Sequence, residues 1–201
     1  MILKKMAHEM LKLYEETIES DFNGTIIDVE TIGYFEWDKY PDRDTRQYRQ
    51  SPTIFGFITR DGITIHYVKK KQDIPSLIDA IPEVLSRPPR PYHAFNAPFE
   101  TAVFYNNCDI HILFDHELNL EQFEGKAKAV RKLGISNYND PFDDIGRLCM
   151  EAWRKGEIEK CLAHNRACLL KERDILLKRG YRSPDEVVFI PLEHPLDPLT
   201  L

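Results

Sequence analysis

The sequence predicts an α/β protein with a mixed β-sheet flanked by helices, on three observations. GTIIDVETIG at 24–33 is an apolar run bounded by glycines and reads as a strand. TIFGFIT (53–59) and ITIHYVK (63–69) are joined by Arg60-Asp61-Gly62, and a D-G step between two such runs marks a hairpin. Beyond residue 90, short strand-like runs alternate with helical ones, which is the pattern that produces parallel neighbours.

Taken in order, MILKKMAHEMLKLYEETIE is interrupted by charge throughout and predicts an amphipathic N-terminal helix over about 4–19. It lacks the apolar centre and small-residue cleavage site of a secretory signal, so a cytoplasmic protein is expected. The first strand, about 25–31, is followed by a polar loop to residue 50 and then the hairpin. IPSLIDAIPEVLS (74–86) predicts a helix that Pro82 starts, kinks or shortens. YHAF (92–95) is a short strand leading into a helix from Ala97, with Asn96 as its N-cap and Pro98 in its first turn. DIHILFD (109–115) predicts another strand. The last third is mainly helical and ends in EIEKCLAHNRACLLKERDILLKRG, with Gly180 as the stop. Pro184, Pro191, Pro195 and Pro198 predict an extended tail. The whole, 1–201, is expected to be a single domain with its core over about 22–180.

A formal net charge of −6 argues against a protein that coats nucleic acid through bulk electrostatics. No stretch is long and apolar enough to span a bilayer, so no membrane partner is expected. Positive charge is patchy. YPDRDTRQYRQ spaces Arg43, Arg46 and Arg49 with Tyr40 and Tyr48 between them, KKK covers 69–71, and RPPRPY runs over 87–92. Arginine beside aromatics is the composition of a single-strand groove, and a solvated loop is the other reading of each patch. Cys108, Cys149, Cys161 and Cys168 form no C-x-x-C pair, so reduced thiols are expected. Oligomeric state leaves no signature.

Asp28 and Glu30 stand two apart in the first strand, so both project from one face with Cα atoms roughly 6.5–7 Å apart. Two carboxylates there repel and lose hydration unless a cation sits between them, and hard oxygen donors suit Mg2+ or Mn2+. An edge strand with one wet face would carry the same acids harmlessly.

Three places in chain order resemble the DEDD 3'-5' exonucleases, the superfamily of the polymerase proofreading domains, whose fold is ribonuclease H-like. The first is the D-x-E of Asp28 and Glu30. The second is a strand running into a helix through N-x-x-F-(D/E), here HAFNAPFETAVF with Asn96, Phe99 and Glu100. The third is a late helix, LAHNRACLLKERDIL, approached through DPFDDIGRLCMEAW. It looks most like the Y-N-x-x-D variant of exonuclease-like proteins related to family B polymerases, with His164 at the tyrosine position. The closing aspartate is absent: Cys168 stands there, and Leu169 stands where the H-x-x-x-x-D form would place it.

The resemblance implies a metal-dependent 3'-5' exonuclease acting on single-stranded ends of DNA or RNA. Mg2+ or Mn2+, one or two ions, would be held by Asp28, Glu30 and Glu100, and a neutral His164 would orient or deprotonate the attacking water. Asn96, Phe99, Arg43, Arg46 and Arg49 would contact the nucleic acid. Cys168 is a poor ligand for Mg2+; it is either a small buried hydrophobe or half of a Cys-His pair that joins Asp28 around Zn2+. Glu172, one turn further on, or Asp174 would then be the compensating acid. The alternative function is a catalytically weak or inactive exonuclease-like module that binds nucleic acid or a partner protein.

Overall fold

The structure, a computed structural model, describes residues 10–193. Six strands, β1 Lys12–Thr17, β2 Thr25–Phe35, β3 Tyr48–Ile58, β4 Gly62–Tyr67, β5 Tyr92–Ala94 and β6 His116–Glu117, form one sheet. Five helices lie within the described residues: α1 Ile74–Leu85, α2 Ala97–Cys108, α3 Lys126–Leu133, α4 Gly146–Arg154 and α5 Ile158–Arg179. The strand order is β1-β4-β3-β2-β5-β6. β2, β3 and β4 form an antiparallel meander, β1 adds antiparallel to β4, and β5 and β6 continue parallel from β2. The mixed α/β sheet expected from sequence is therefore present, with the β3–β4 hairpin turning at Asp61-Gly62.

Helices cover both faces of the sheet, as neighbouring residues of β3 show. Phe55 packs edge-on against Phe104 of α2 at 5.6 Å, while a Cβ on Gly56 would strike Asn165 of α5. Successive strand residues point to opposite faces, so α2 and α5 lie on opposite sides of the sheet. One apolar cluster joins both layers, with Ile26, Ile27, Ile54, Phe55, Ile65, Leu77, Phe104 and Leu169 fully or almost fully buried.

Two expected elements differ. Residues 4–9 of the expected N-terminal helix fall outside the described residues, and Lys12–Thr17 is a strand rather than a helix. β4 would otherwise present a row of unpaired backbone groups at the sheet edge. Tyr14 and Glu16 turn inward on the period of two, and the ladder outweighs the weak helical propensity of KLYEET. The strand expected over 109–115 is displaced: the chain leaves α2 through a left-handed Asp109 (φ 52°), and ladder pairing begins only at His116. β5 is three residues long before the chain turns at Asn96, so it offers few partners. Pro82 lies inside α1, which continues to Leu85. The tail is extended over 181–193, bridging Arg182 to Glu117 and Val188 to Asp44; Pro195 and Pro198 lie outside the described residues. Among the described residues no helix is long and apolar enough to cross a membrane.

β2 is a central strand, buried from Thr25 to Glu30. The edge-strand explanation for Asp28 and Glu30 is thereby removed, and their charge needs compensation from within the fold.

Candidate functional site

Asp28 and Glu30 project from β2 toward α5. The facing side of α5 is polar: His164, Cys168, Lys171 and Glu172 recur at four, seven and eight residues, which places them on one helical face, and all four are buried. Asn165 steadies the junction. Its Nδ2 donates to Asp28 Oδ2 at 2.7 Å, and the absence of a side chain at Gly56 leaves room for its amide over β3.

The cation between the acids is a lysine. Lys126 opens α3, and its Nζ donates to Asp28 Oδ1 at 2.9 Å while standing 2.5 Å from Glu172 Oε1. The first contact is a directed hydrogen bond. The second is close but poorly angled, and it leaves both Glu172 oxygens without a formal donor. Glu100, in the first turn of α2, aims a buried Oε2 into the same region with no partner.

These contacts divide the protons. Burial favours the neutral form of Asp28, but the Lys126 ammonium outweighs it and holds the carboxyl below its usual range. Glu172 is pushed well up by burial, with the Asp28 charge adding to it and Lys126 only partly opposing. Glu100 is pushed well up by burial and then by the charges of Asp28 and Glu172. Glu30 rises to about 7, chiefly through burial, with His164 opposing. Burial opposes the charge of both Lys126 and His164; Asp28 leads in raising the Lys126 ammonium, and Cys168, Glu30 and Asp140 push the His164 imidazole up to about 12.

His164 Nδ1 lies 2.7 Å from Asp140 Oδ1, and its Nε2 faces Glu30 Oε1 at 3.6 Å and Cys168 Sγ at 3.8 Å. Lys171, fully buried, pairs with Asp140 at 2.7 Å and with Asp144 at 2.8 Å. This environment favours the imidazolium, whereas the general-base role expected of His164 needs the neutral ring. Lys126 and Lys171 thus set two ammonium groups against the acids of this buried cluster.

Above this floor a cleft of about 620 Å3 opens, lined by Asp28, Glu30, Glu100, Lys126, His164 and Cys168 below and by aromatic rings on one side. Phe35 and Trp37 stack 4.5 Å apart with planes 8° from parallel, and each remains nearly half exposed. Tyr48 and Phe99 brace them from behind at 5.4–6.2 Å.

Comparison with protein-family models, with curated proteins and with solved structures finds no match to this chain. The site therefore rests on its own geometry. The structure brings Asp28, Glu30, Asn96, Phe99, Glu100, His164 and Cys168 to one cleft, and Glu172 reaches its floor. Asp174 instead accepts from Tyr138 and Arg173. Arg43, Arg46 and Arg49 do not line the cleft. Arg46 forks onto Asp44, Arg43 reaches Gln122 and Asp185, and Arg49 faces Glu36 at 3.6 Å.

Sequence reasoning missed Lys126, Asp140, Asp144, Lys171 and the Phe35–Trp37 stack. The run GYFEW directly after the D-x-E strand was a readable signal for the last of these. Nothing in GKAKAVRKL sets Lys126 apart from the other basic residues of its helix.

Buried acid, histidine and cysteine groups here could hold a metal ion. Glu30, His164 and Cys168 each offer a donor atom, all within 4.8 Å of one another. At Asp28 Oδ1 and Glu172 Oε1 a divalent ion would have to displace the Lys126 ammonium.

Proposed function

We propose that the chain is a ribonuclease H-like module of exonuclease type that binds the end of a single-stranded nucleic acid in its aromatic cleft, with metal-dependent cleavage weakened or lost. The observation that carries this reading is the Lys126 ammonium between Asp28 and Glu172, at the position where two-ion chemistry needs a cation. A tethered ammonium neutralises the acids and attracts phosphate, but it carries no ionisable water and so supplies no nucleophile. The strand order supports the fold: without edge strand β1 it is an antiparallel meander continued by two parallel strands. The stacked Phe35–Trp37 pair supports the ligand, because an unpaired base has a π-face to lay on exposed rings.

A second reading, a Mg2+- or Mn2+-dependent 3'-5' exonuclease, is favoured by the convergence of Asp28, Glu30 and Glu100 on one cleft. Zn2+ suits the mixed oxygen, nitrogen and sulfur donors of Glu30, His164 and Cys168 better than either.

Anisotropy of fluorescent DNA and RNA oligonucleotides separates these readings. Binding in the presence of chelator is expected, and Trp37→Ala should weaken it by about 1–3 kcal/mol for one lost stacking contact. Release of 3'-terminal nucleotides with added Mg2+, Mn2+ or Zn2+ should stay at the level of an Asp28→Asn control. Metal-dependent release that Asp28→Asn abolishes would establish the exonuclease instead.

A further inference from the structure

Lys69, Lys70, Lys71 and Arg154 surround a second concavity of about 370 Å3, with Ile32, Trp153 and Gly156 completing its wall. The wall is fixed, since Trp153 Nε1 donates to Val68 O at 2.9 Å and ties the lysine segment to α4. None of the four cationic groups forms an ion pair among the described residues, whereas most other arginines and many lysines of the chain do. In a chain of net charge −6, four uncompensated cations around one hollow make a local field opposite to the global one.

This hollow connects with the aromatic cleft through one residue pair. The Arg154 guanidinium lies 5.6 Å from the centre of the Tyr34 ring, and Tyr34, about two-thirds exposed, lines the cleft. Ile32 and Tyr34 project from the same strand on either side of Gly33, so a chain leaving the cleft along the end of β2 meets Arg154 and then the lysines.

We infer that the Lys69–Lys71 and Arg154 hollow holds the phosphodiester backbone of the strand whose end occupies the cleft, and so sets the path by which longer nucleic acids cross the surface. This rests on the cleft reading above. The chemistry is that of a single-strand groove, in which rings hold terminal bases and unpaired cations follow the phosphates. Contacts of these cations to phosphates carry no base information, so the hollow's contribution is independent of sequence.

The test is a salt series of anisotropy titrations with a short oligothymidylate of about four nucleotides and a longer one of about twelve. Wild type is compared with Lys69→Gln/Lys70→Gln/Lys71→Gln, with Arg154→Gln and with Trp37→Ala. The triple variant should bind the longer strand about tenfold or more weakly at low salt. It should also flatten the plot of log affinity against log salt by about 2, at roughly 0.7 per lost phosphate contact, and leave the short strand unaffected. Arg154→Gln should act in the same direction and more weakly. Unchanged affinity and slope for the longer strand, with Trp37→Ala weakening both strands, would overturn the path and leave the cleft reading standing. If the lysine and arginine variants abolish binding while Trp37→Ala changes nothing, the hollow is a general polyanion patch, and both the path and the cleft reading fail. Absence of binding by either strand would overturn both.

Discussion

Lys126 decides how the cluster of acids is read. With only 17% of its side chain exposed, it sits against a buried Asp28, so removing the charge strands a carboxylate in a site with little water. Lys126→Met, which keeps the apolar stem, should therefore destabilise the fold by about 3–5 kcal/mol in urea denaturation near neutral pH. The sign of the pH dependence follows from the depressed Asp28. Its contribution to wild-type stability is complete above the unfolded value of 3.8 and is lost as pH falls through the lower folded value. In the variant, Asp28 is raised by burial, so acid favours its folded state. The gap between the two proteins should be widest near neutrality and narrow below about pH 4. A gap that stays constant across this range would mean that Lys126 contributes packing rather than charge.

At the level of elements, the polar face of α5 and the strand it covers work as a unit, joined where Gly56 admits Asn165. A Cβ at position 56 would stand 2.0 Å from Asn165 Oδ1 and 3.1 Å from a Leu169 methyl, so Gly56→Ala must displace the Asn165 amide that is bonded to Asp28. The expected loss is about 1–3 kcal/mol, measured by thermal or urea unfolding. Asn165→Ala in the Gly56→Ala background should recover part of it, since the two substitutions share one clash. Additive losses would contradict the close approach. Strand β2, the β3–β4 hairpin, α1, α2 and α5 were legible in the sequence because local pattern and tertiary role agree there. β1 was not legible, because what makes it a strand is the open edge of β4, more than forty residues away in the chain. The pair of acids was legible as a pair. Its counter-charge was not, because Lys126 lies 98 residues from Asp28 and contact at that separation leaves no trace in a single sequence.

Across the whole molecule, an acidic protein presents an aromatic-walled cleft with a buried floor of acids and lysines and a basic hollow beside it. The resemblance to the DEDD exonucleases carried the expectation of bound divalent ions. Within the fold, Lys126 and Lys171 place ammonium groups against acids of that floor, and His164 lies between Asp140 and Glu30. Cys168 lies against the same floor, where burial pushes its thiol up to about 11 and the charges of Lys126 and His164 oppose that. The most direct test of this account is calorimetric titration of Mn2+ into chelator-stripped protein, comparing wild type with Lys126→Ala and each with its Asp28→Asn derivative. The account predicts that any Mn2+ bound by wild type is indifferent to Asp28→Asn, and that Lys126→Ala gains a further site that Asp28→Asn removes. Tight binding of two Mn2+ ions by wild type, both lost on Asp28→Asn, would contradict it.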